Sequence, residues 1–172
     1  EAAELPRVVI YGLPNTGKSS LLNALAGSDA AITSPVAGTT RDFVTREASF
    51  GGQSCVLIDT AGVAEAAALS GLGRAMQAAT ECQSEAADLK LMCIDMTRGL
   101  AEWEAGELAR MDSRRLVVGT KCDLASSLLA SAPLGERTSS RSGEGLGVLK
   151  SRIARLLPSP LSEGGAIAAT AD

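Results

Sequence analysis

Gly12-Leu13-Pro14-Asn15-Thr16-Gly17-Lys18-Ser19 sets two glycines, a lysine and a hydroxyl at the spacing G-x-x-x-x-G-K-S/T. Glycines at those positions let successive backbone N–H groups turn inward around phosphate oxygens. A helix beginning there adds its positive dipole end, and Lys18 reaches the outer phosphates as a point charge. The Ser19 hydroxyl suits Mg²⁺. Further along, Asp59-Thr60-Ala61-Gly62 supplies a carboxylate able to hold Mg²⁺ through water and, at Gly62, an N–H for a terminal phosphate. Thr39 and Thr40 offer hydroxyls for metal and phosphate from a segment that a terminal phosphate would order. In Thr120-Lys121-Cys122-Asp123, the Asp123 carboxylate can accept hydrogen bonds from the N1–H and 2-amino group of guanine, a donor pair that adenine lacks. Lys121 can lie across the ring plane, and a backbone N–H of Ser139-Ser140-Arg141 can meet the base carbonyl. The chemistry implied is recognition of a guanine nucleoside triphosphate with a divalent cation.

The elements that must position these groups are legible in the apolar spacing. Arg7-Val8-Val9-Ile10-Tyr11 reads as a buried parallel strand opening into the glycine loop. Leu21, Leu22 and Leu25 then share one face of a helix running from near Gly17 to Gly27. Residues 28–41 carry Pro35 and Gly38 with no sustained period, which marks a long loop. Phe43 to Phe50 and Ser54 to Ile58 flank Gly51-Gly52 as an antiparallel hairpin. Leu89 to Asp95 and Leu116 to Gly119 read as buried strands, separated by helical segments at Gly73 to Ser84 and Glu102 to Met111. Leu146, Leu149, Ile153, Leu156 and Leu157 predict a last helix ended by Pro158 and Pro160. Alternation of this kind is an α/β pattern.

Composition narrows the alternatives. At 172 residues the chain fits one domain of roughly 150 residues, read as 1–158 followed by a Ser/Gly/Ala-rich linker or disordered tail at 159–172. No run of about 18 apolar residues is present, and a net charge of −4 argues against a whole-surface grip on nucleic acid or an anionic membrane. The absence of histidine removes Ser-His-Asp, Cys-His and His-ligated zinc chemistry. One tyrosine, two phenylalanines and one tryptophan are too few for a base-stacking platform. Cys55, Cys82, Cys93 and Cys122 show no CxxC spacing and read as reduced core residues, consistent with an excised cytoplasmic fragment beginning at Glu1. Gly71-Leu72-Gly73 and Gly143-Glu144-Gly145-Leu146-Gly147 follow no strand and read as turns, and Arg41, Arg74, Arg114 and Arg115 read as solvated.

Taken in order, Gly12 to Ser19, Thr39-Thr40-Arg41-Asp42, Asp59 to Gly62, Thr120 to Asp123 and Ser139 to Arg141 resemble the five G motifs of translation-factor-class GTPases. Asn23 to Ile32, Val36-Ala37-Gly38-Thr39-Thr40-Arg41-Asp42 and Gly73-Arg74-Ala75-Met76 make the chain look most like the G domain of bacterial tRNA-modification GTPases of the MnmE (TrmE) family, over about residues 6 to 157. The resemblance implies a Ras-like P-loop α/β fold, with a mostly parallel six-stranded sheet, one antiparallel edge strand and helices on both faces. It implies GTP or GDP contacts at Asn15, Thr16, Gly17, Lys18, Ser19, Ser20, Ser34, Thr39, Thr40, Asp59, Thr60, Ala61, Gly62, Thr120, Lys121, Asp123, Ser139, Ser140 and Arg141. It also implies Mg²⁺ at Ser19 and Thr40, and K⁺ at Asn15, Ser34, Val36 and Thr39 in place of an arginine finger. Pairing of two G domains around K⁺, a cytoplasmic site of action, and full-length partnership with the FAD-dependent MnmG protein and tRNA in wobble-uridine modification follow from the same resemblance. So do folate-binding and helical domains and a C-terminal cysteine motif outside this stretch.

The chain departs from the family pattern at several positions. Thr120 stands where asparagine is usual; threonine keeps a hydroxyl, which predicts modest weakening rather than lost specificity, and Ser140 stands where alanine is usual. Val63 follows Asp-Thr-Ala-Gly where Ras-like proteins keep a glutamine; the family's catalytic glutamate lies further along. The stretch from Val63 to Arg74 is shortened and contains one acid, Glu65, which matches an upstream position, so the catalytic acid is unassigned and slow GTP hydrolysis is expected of the isolated domain. Two other readings fit the motifs: a ribosome-assembly GTPase of the Der or Era type, and a GTP-gated binding module with little hydrolysis.

Overall fold

Strand β1 (Arg7–Tyr11) carries no polar alternation because both of its faces are covered: Val8, Val9 and Ile10 expose no surface. The computed structural model describes residues 4–27, 44–60, 86–125 and 135–158. After β1 come α1 (Lys18–Ala26), β2 (Val44–Phe50), β3 (Gln53–Asp59), β4 (Leu89–Asp95), α2 (Glu102–Leu108), β5 (Arg115–Thr120), β6 (Glu136–Arg137) and α3 (Leu146–Leu156). The expected loop at 28–41, helix at 73–84 and tail at 159–172 lie outside the described residues.

The strands form one six-stranded sheet in the order β2-β3-β1-β4-β5-β6. Every pairing is parallel except that of β2 with β3, the hairpin closed by Gly51-Gly52 at the sheet edge. The α/β expectation and the antiparallel edge strand are both observed. Strand β4 is buried along its whole length, as a strand with parallel neighbours on each side must be. Its Lys90 breaks the apolar run, and burial, followed by the neighbouring Arg115 guanidinium, lowers the ammonium pKa.

Two cores sit on opposite faces of the sheet. Leu21, Leu22 and Leu25 of α1 and Leu149 and Ile153 of α3 pack with Val8, Ile10, Leu57, Leu91 and Val118. On the other face, Trp103 and Leu108 of α2 pack against Val9, Tyr11, Ile58, Met92 and Ile94, with Trp103 meeting the Tyr11 ring edge-on at 6.4 Å. Cys55 and Cys93 are free and buried, and burial pushes their thiols up to about 11 and about 12. Cys122 is free and half-buried, while Cys82 lies outside the described residues. Among the described residues no helix is long and apolar enough to cross a membrane.

Three sequence expectations need correction. Helix α2 ends at Leu108 rather than Met111, because Arg110 N–H turns back to the Glu107 carbonyl and Asp112 starts a new turn through Arg114 and Arg115 N–H. Leu156 is exposed rather than core: Leu149, Ile153 and Leu157, spaced four apart, form the buried stripe. Arg115 is not merely solvated; its guanidinium bridges Glu107 at 3.1 Å and Asp112 at 3.3 Å between β5 and the α2 segment.

Leu149 has no exposed surface and joins α3 to the sheet. Leu149→Ala should therefore lower unfolding free energy by about 2–5 kcal/mol through lost transfer energy and the cavity left behind. Urea denaturation checks this; a loss below about 1 kcal/mol would mean that α3 collapses into the gap.

Candidate functional site

The loop after β1 is shaped by close approach to its neighbour strand. At Gly12 (φ 149°) a Cβ would lie 2.5 Å from the Cys93 carbonyl oxygen of β4, so only glycine lets the chain leave the sheet there. Asn15 follows at φ 61° and Gly17 at φ 84°, the latter capping α1. Thr16 donates its hydroxyl to the Leu13 carbonyl at 2.8 Å, and the Lys18 ammonium reaches the same carbonyl at 2.7 Å. Lys18 is thus folded over the loop it belongs to, nearly covered, at the start of α1.

Strand β3 ends at Asp59, in register with Ile10 of β1, so its carboxylate emerges beside the loop. The Ser19 hydroxyl donates to Asp59 Oδ2 at 2.6 Å. A hydroxyl and a carboxylate oxygen this close are hard oxygen donors of the type Mg²⁺ takes while keeping several waters. Thr60 points the other way: its hydroxyl and its N–H both donate to the Ile10 carbonyl, at 3.0 and 3.2 Å. Ser34, Val36, Thr39, Thr40, Ala61, Gly62 and Glu65 lie outside the described residues.

Strands β5 and β6 bring the two remaining motifs to the same edge. Thr120 is buried, and its hydroxyl donates to the Thr16 carbonyl at 2.5 Å, with the Ile94 carbonyl at 3.2 Å. The threonine that replaces the usual asparagine therefore ties β5 to the phosphate-type loop. Lys121 sits in the left-handed region at φ 57°, and the exposed Asp123 follows in a single 3₁₀ turn (Cys122–Leu124). Cys122 N–H donates to the Thr138 carbonyl at 3.0 Å, joining this turn to the loop after β6. In that loop Ser139 N–H bonds the Glu144 carbonyl, Gly143 N–H bonds the Ser139 carbonyl and Ser142 N–H bonds Ser139 Oγ. Ser139 is consequently buried in its own turn, while Ser140 is half-buried and Arg141 exposed.

These segments surround a cavity of about 550 Å³, lined by Gly17, Ser20, Thr120, Lys121 and Asp123 and by Ser139, Ser140 and Arg141. Its remaining wall, Asn23 and Ala24 of α1 and Leu124 of the 3₁₀ turn, was not among the site residues expected from the motifs; the two α1 residues stood out only in the resemblance. The signal was present for α1: Asn23 and Ala24 stand three and four residues after Ser20 and so share its helical face. Asp95, whose carboxylate meets Lys121 at 2.6 Å, was missed as well, although it too ends a strand at this edge.

Gly145 closes the loop around Ser139. It has φ 72°, and a Cβ there would run into the Arg137 carbonyl. Gly145→Ala should destabilise the fold by about 2 kcal/mol or more, combining left-handed strain with displaced backbone. An unchanged midpoint in urea would show that the Arg137 carbonyl yields without cost.

Known proteins match this arrangement. The family model of the 50S ribosome-binding GTPases matches residues 7–121. The tRNA modification GTPase MnmE of Thiobacillus denitrificans is 39% identical over 150 residues, covering 85% of this chain and 32% of that protein. The MnmE of Acinetobacter baylyi is 42% identical over 125 residues, covering 69% and 26%. The chain thus spans about a third or less of the length of these curated relatives. Among solved structures, an Aquifex aeolicus Era variant bound to GDP and AlF4− superposes with a TM-score of 0.67 at 30% identity, covering 91% of this chain and 58% of that one. The G domain of the T. maritima FeoB iron transporter shares the fold, with a TM-score of 0.61 at 24% identity over 88% of this chain and 98% of that one. With its glycine loop, strand-end aspartate and base-side loops at one sheet edge, the chain belongs to the 50S ribosome-binding GTPase family, as a GTPase domain whose curated relatives include MnmE proteins.

Proposed function

We propose that this chain is the G domain of a cytoplasmic tRNA-modification GTPase of the MnmE type, binding GTP and hydrolysing it with Mg²⁺ and K⁺. The observation that carries the reading is the convergence of Lys18, the Ser19–Asp59 pair and the Lys121–Asp123 turn on one edge of the sheet, where Lys121 and Asp123 line the cavity that Gly17 and Ser20 of the α1 start also border. Asn15 to Ser20 cradle the phosphates through backbone N–H groups and the α1 N-terminus, where Lys18 exchanges the Leu13 carbonyl for phosphate oxygens. Ser19 and Thr40 hold Mg²⁺, with Asp59 acting through water, and the ion supplies neutralisation of charge on the outer phosphates. Thr39, Ala61 and Gly62 complete the phosphate side, while Thr60, whose hydroxyl and N–H both donate to the Ile10 carbonyl, anchors the start of that segment to β1. Asn15, Ser34, Val36 and Thr39 hold K⁺, which supplies positive charge where an arginine finger would otherwise act. On the base side Asp123 accepts from guanine, Lys121 and Thr120 support the turn, and Ser139 shapes the loop from which Ser140 and Arg141 meet the base.

In the full-length protein this domain would pair with a second copy around K⁺ and serve wobble-uridine modification with MnmG and tRNA. The Era-type reading draws support from the 30% identity and the TM-score of 0.67. The 39–42% identity to MnmE proteins favours the first.

Base recognition by Asp123 is tested by Asp123→Asn, which inverts hydrogen-bond polarity at that edge. GTP binding should weaken on the order of 100-fold while xanthosine triphosphate binding improves. Unchanged GTP affinity would remove Asp123 from the base pocket.

Turnover is tested by GTP hydrolysis in KCl against NaCl at equal ionic strength over a range of protein concentrations. Stimulation by potassium that rises with protein concentration is the expected result. Tight GTP binding with negligible turnover in both salts would instead favour a GTP-gated binding module, or a domain whose shortened 63–74 stretch has lost its catalytic glutamate.

A further inference from the structure

Asn15 and Lys121 are the two non-glycine residues with positive φ among the described residues, at 61° and 57°, and they touch each other. The Lys121 ammonium donates to the Asn15 carbonyl at 2.8 Å. Its stem runs beside Gly17, where a Cβ would lie 3.8 Å from Lys121 Cε. The same ammonium lies 2.6 Å from Asp95 Oδ2. Asp95 ends β4 in register with Thr120, and Met96 N–H donates to the Thr120 carbonyl at 3.1 Å, so the carboxylate is anchored beside the residue preceding Lys121. Its other oxygen is held by the Thr97 N–H at 2.8 Å and the Thr97 hydroxyl at 2.6 Å. The turn fixes Oδ1 and leaves Oδ2 aimed at the lysine. Although burial opposes the charge, the hydrogen bonds from Lys121 and Thr97 hold the Asp95 carboxyl below the usual carboxylate range.

We infer that Asp95 is a positioning residue of the nucleotide site: through Lys121 it holds the Asn15 turn of the phosphate loop and the Lys121–Asp123 turn of the base loop in one arrangement. Lysine carries several rotatable bonds and a third of this side chain is exposed, so without a fixed counter-charge the ammonium has other hydration sites available. With Asp95 in place it is directed onto one carbonyl. The two loops that must contact opposite ends of a nucleotide are then joined before the ligand arrives, which lowers the ordering cost of binding. This inference rests on the reading of the cavity as a guanine nucleotide site.

The test is a double-mutant cycle in GDP affinity on the 172-residue chain, with Asp95→Asn, Lys121→Met and the pair. Asparagine keeps the side-chain oxygen that Thr97 uses and removes the charge. Asp95→Asn should weaken GDP by about tenfold with little change in thermal midpoint, and should add less than about twofold in the Lys121→Met background. Fully additive losses would show that Asp95 acts on the fold rather than through Lys121, and would overturn the inference. So would an Asp95→Asn chain that binds GDP as the parent does. A parent chain that binds no GDP would overturn the nucleotide reading itself and this inference with it, an outcome distinct from the other two.

Discussion

Parallel pairing of β1 with β3 on one side and β4 on the other is the constraint on which the rest of this molecule depends. Parallel strands all end at the same edge of the sheet, so each connecting segment must leave from that edge and return by a helix or long loop. The glycine loop leaves β1, Asp59 ends β3, Asp95 ends β4, the Thr120 to Asp123 turn leaves β5, and the loop around Ser139 leaves β6. Segments up to about 120 residues apart in the chain thus become neighbours. The buried, unalternating composition of β1 and β4 makes this layout possible, since both faces of these strands are covered.

Placement at one edge does not by itself make a site; the loops are also fastened to one another. Thr120 ties β5 to the Thr16 carbonyl, Lys121 ties the base-side turn to Asn15, and Cys122 ties that turn to Thr138. Two of these ties are made by side chains to backbone carbonyls of the phosphate-type loop. That loop has few carbonyls committed to regular structure, so accepting these donors satisfies groups that would otherwise need water. Fastening and satisfaction are the same event. The Ser19–Asp59 hydrogen bond extends the pattern to β3.

Local patterns were legible wherever one element carried the whole signal. Gly12, Gly17 and Lys18 announce their loop because the backbone geometry that surrounds phosphate requires those types at that spacing. Strands β1 to β5 were found to within about a residue at each end, from apolar runs or the glycine hairpin between them, whereas β6, the polar pair Glu136–Arg137, carries no such signal. Leu156 was misplaced because a cluster of leucines at a helix end satisfies two overlapping spacings, and only the direction of the sheet decides which is buried. Arg115 was misjudged for a related reason: its partners, Glu107 and Asp112, reach it through the end of α2, and that end is set by a side-chain turn at Asp112.

The sequence by itself determined the α/β class, the glycine loop, the strand-end Asp59, the Asp123 turn after β5 and the antiparallel hairpin at the edge, because each is encoded by residues within a few positions of one another. Only the tertiary structure decided what those residues touch. Thr120, a departure from the family pattern in the sequence, is revealed as a tie to Thr16; Thr60, named for phosphate, turns its hydroxyl to the Ile10 carbonyl. Asp95 belongs to no motif and yet meets the lysine of one. Contacts of this sort depend on which strands lie side by side and in what register. That choice is made by burial summed over the whole sheet, a quantity that no short stretch of sequence contains.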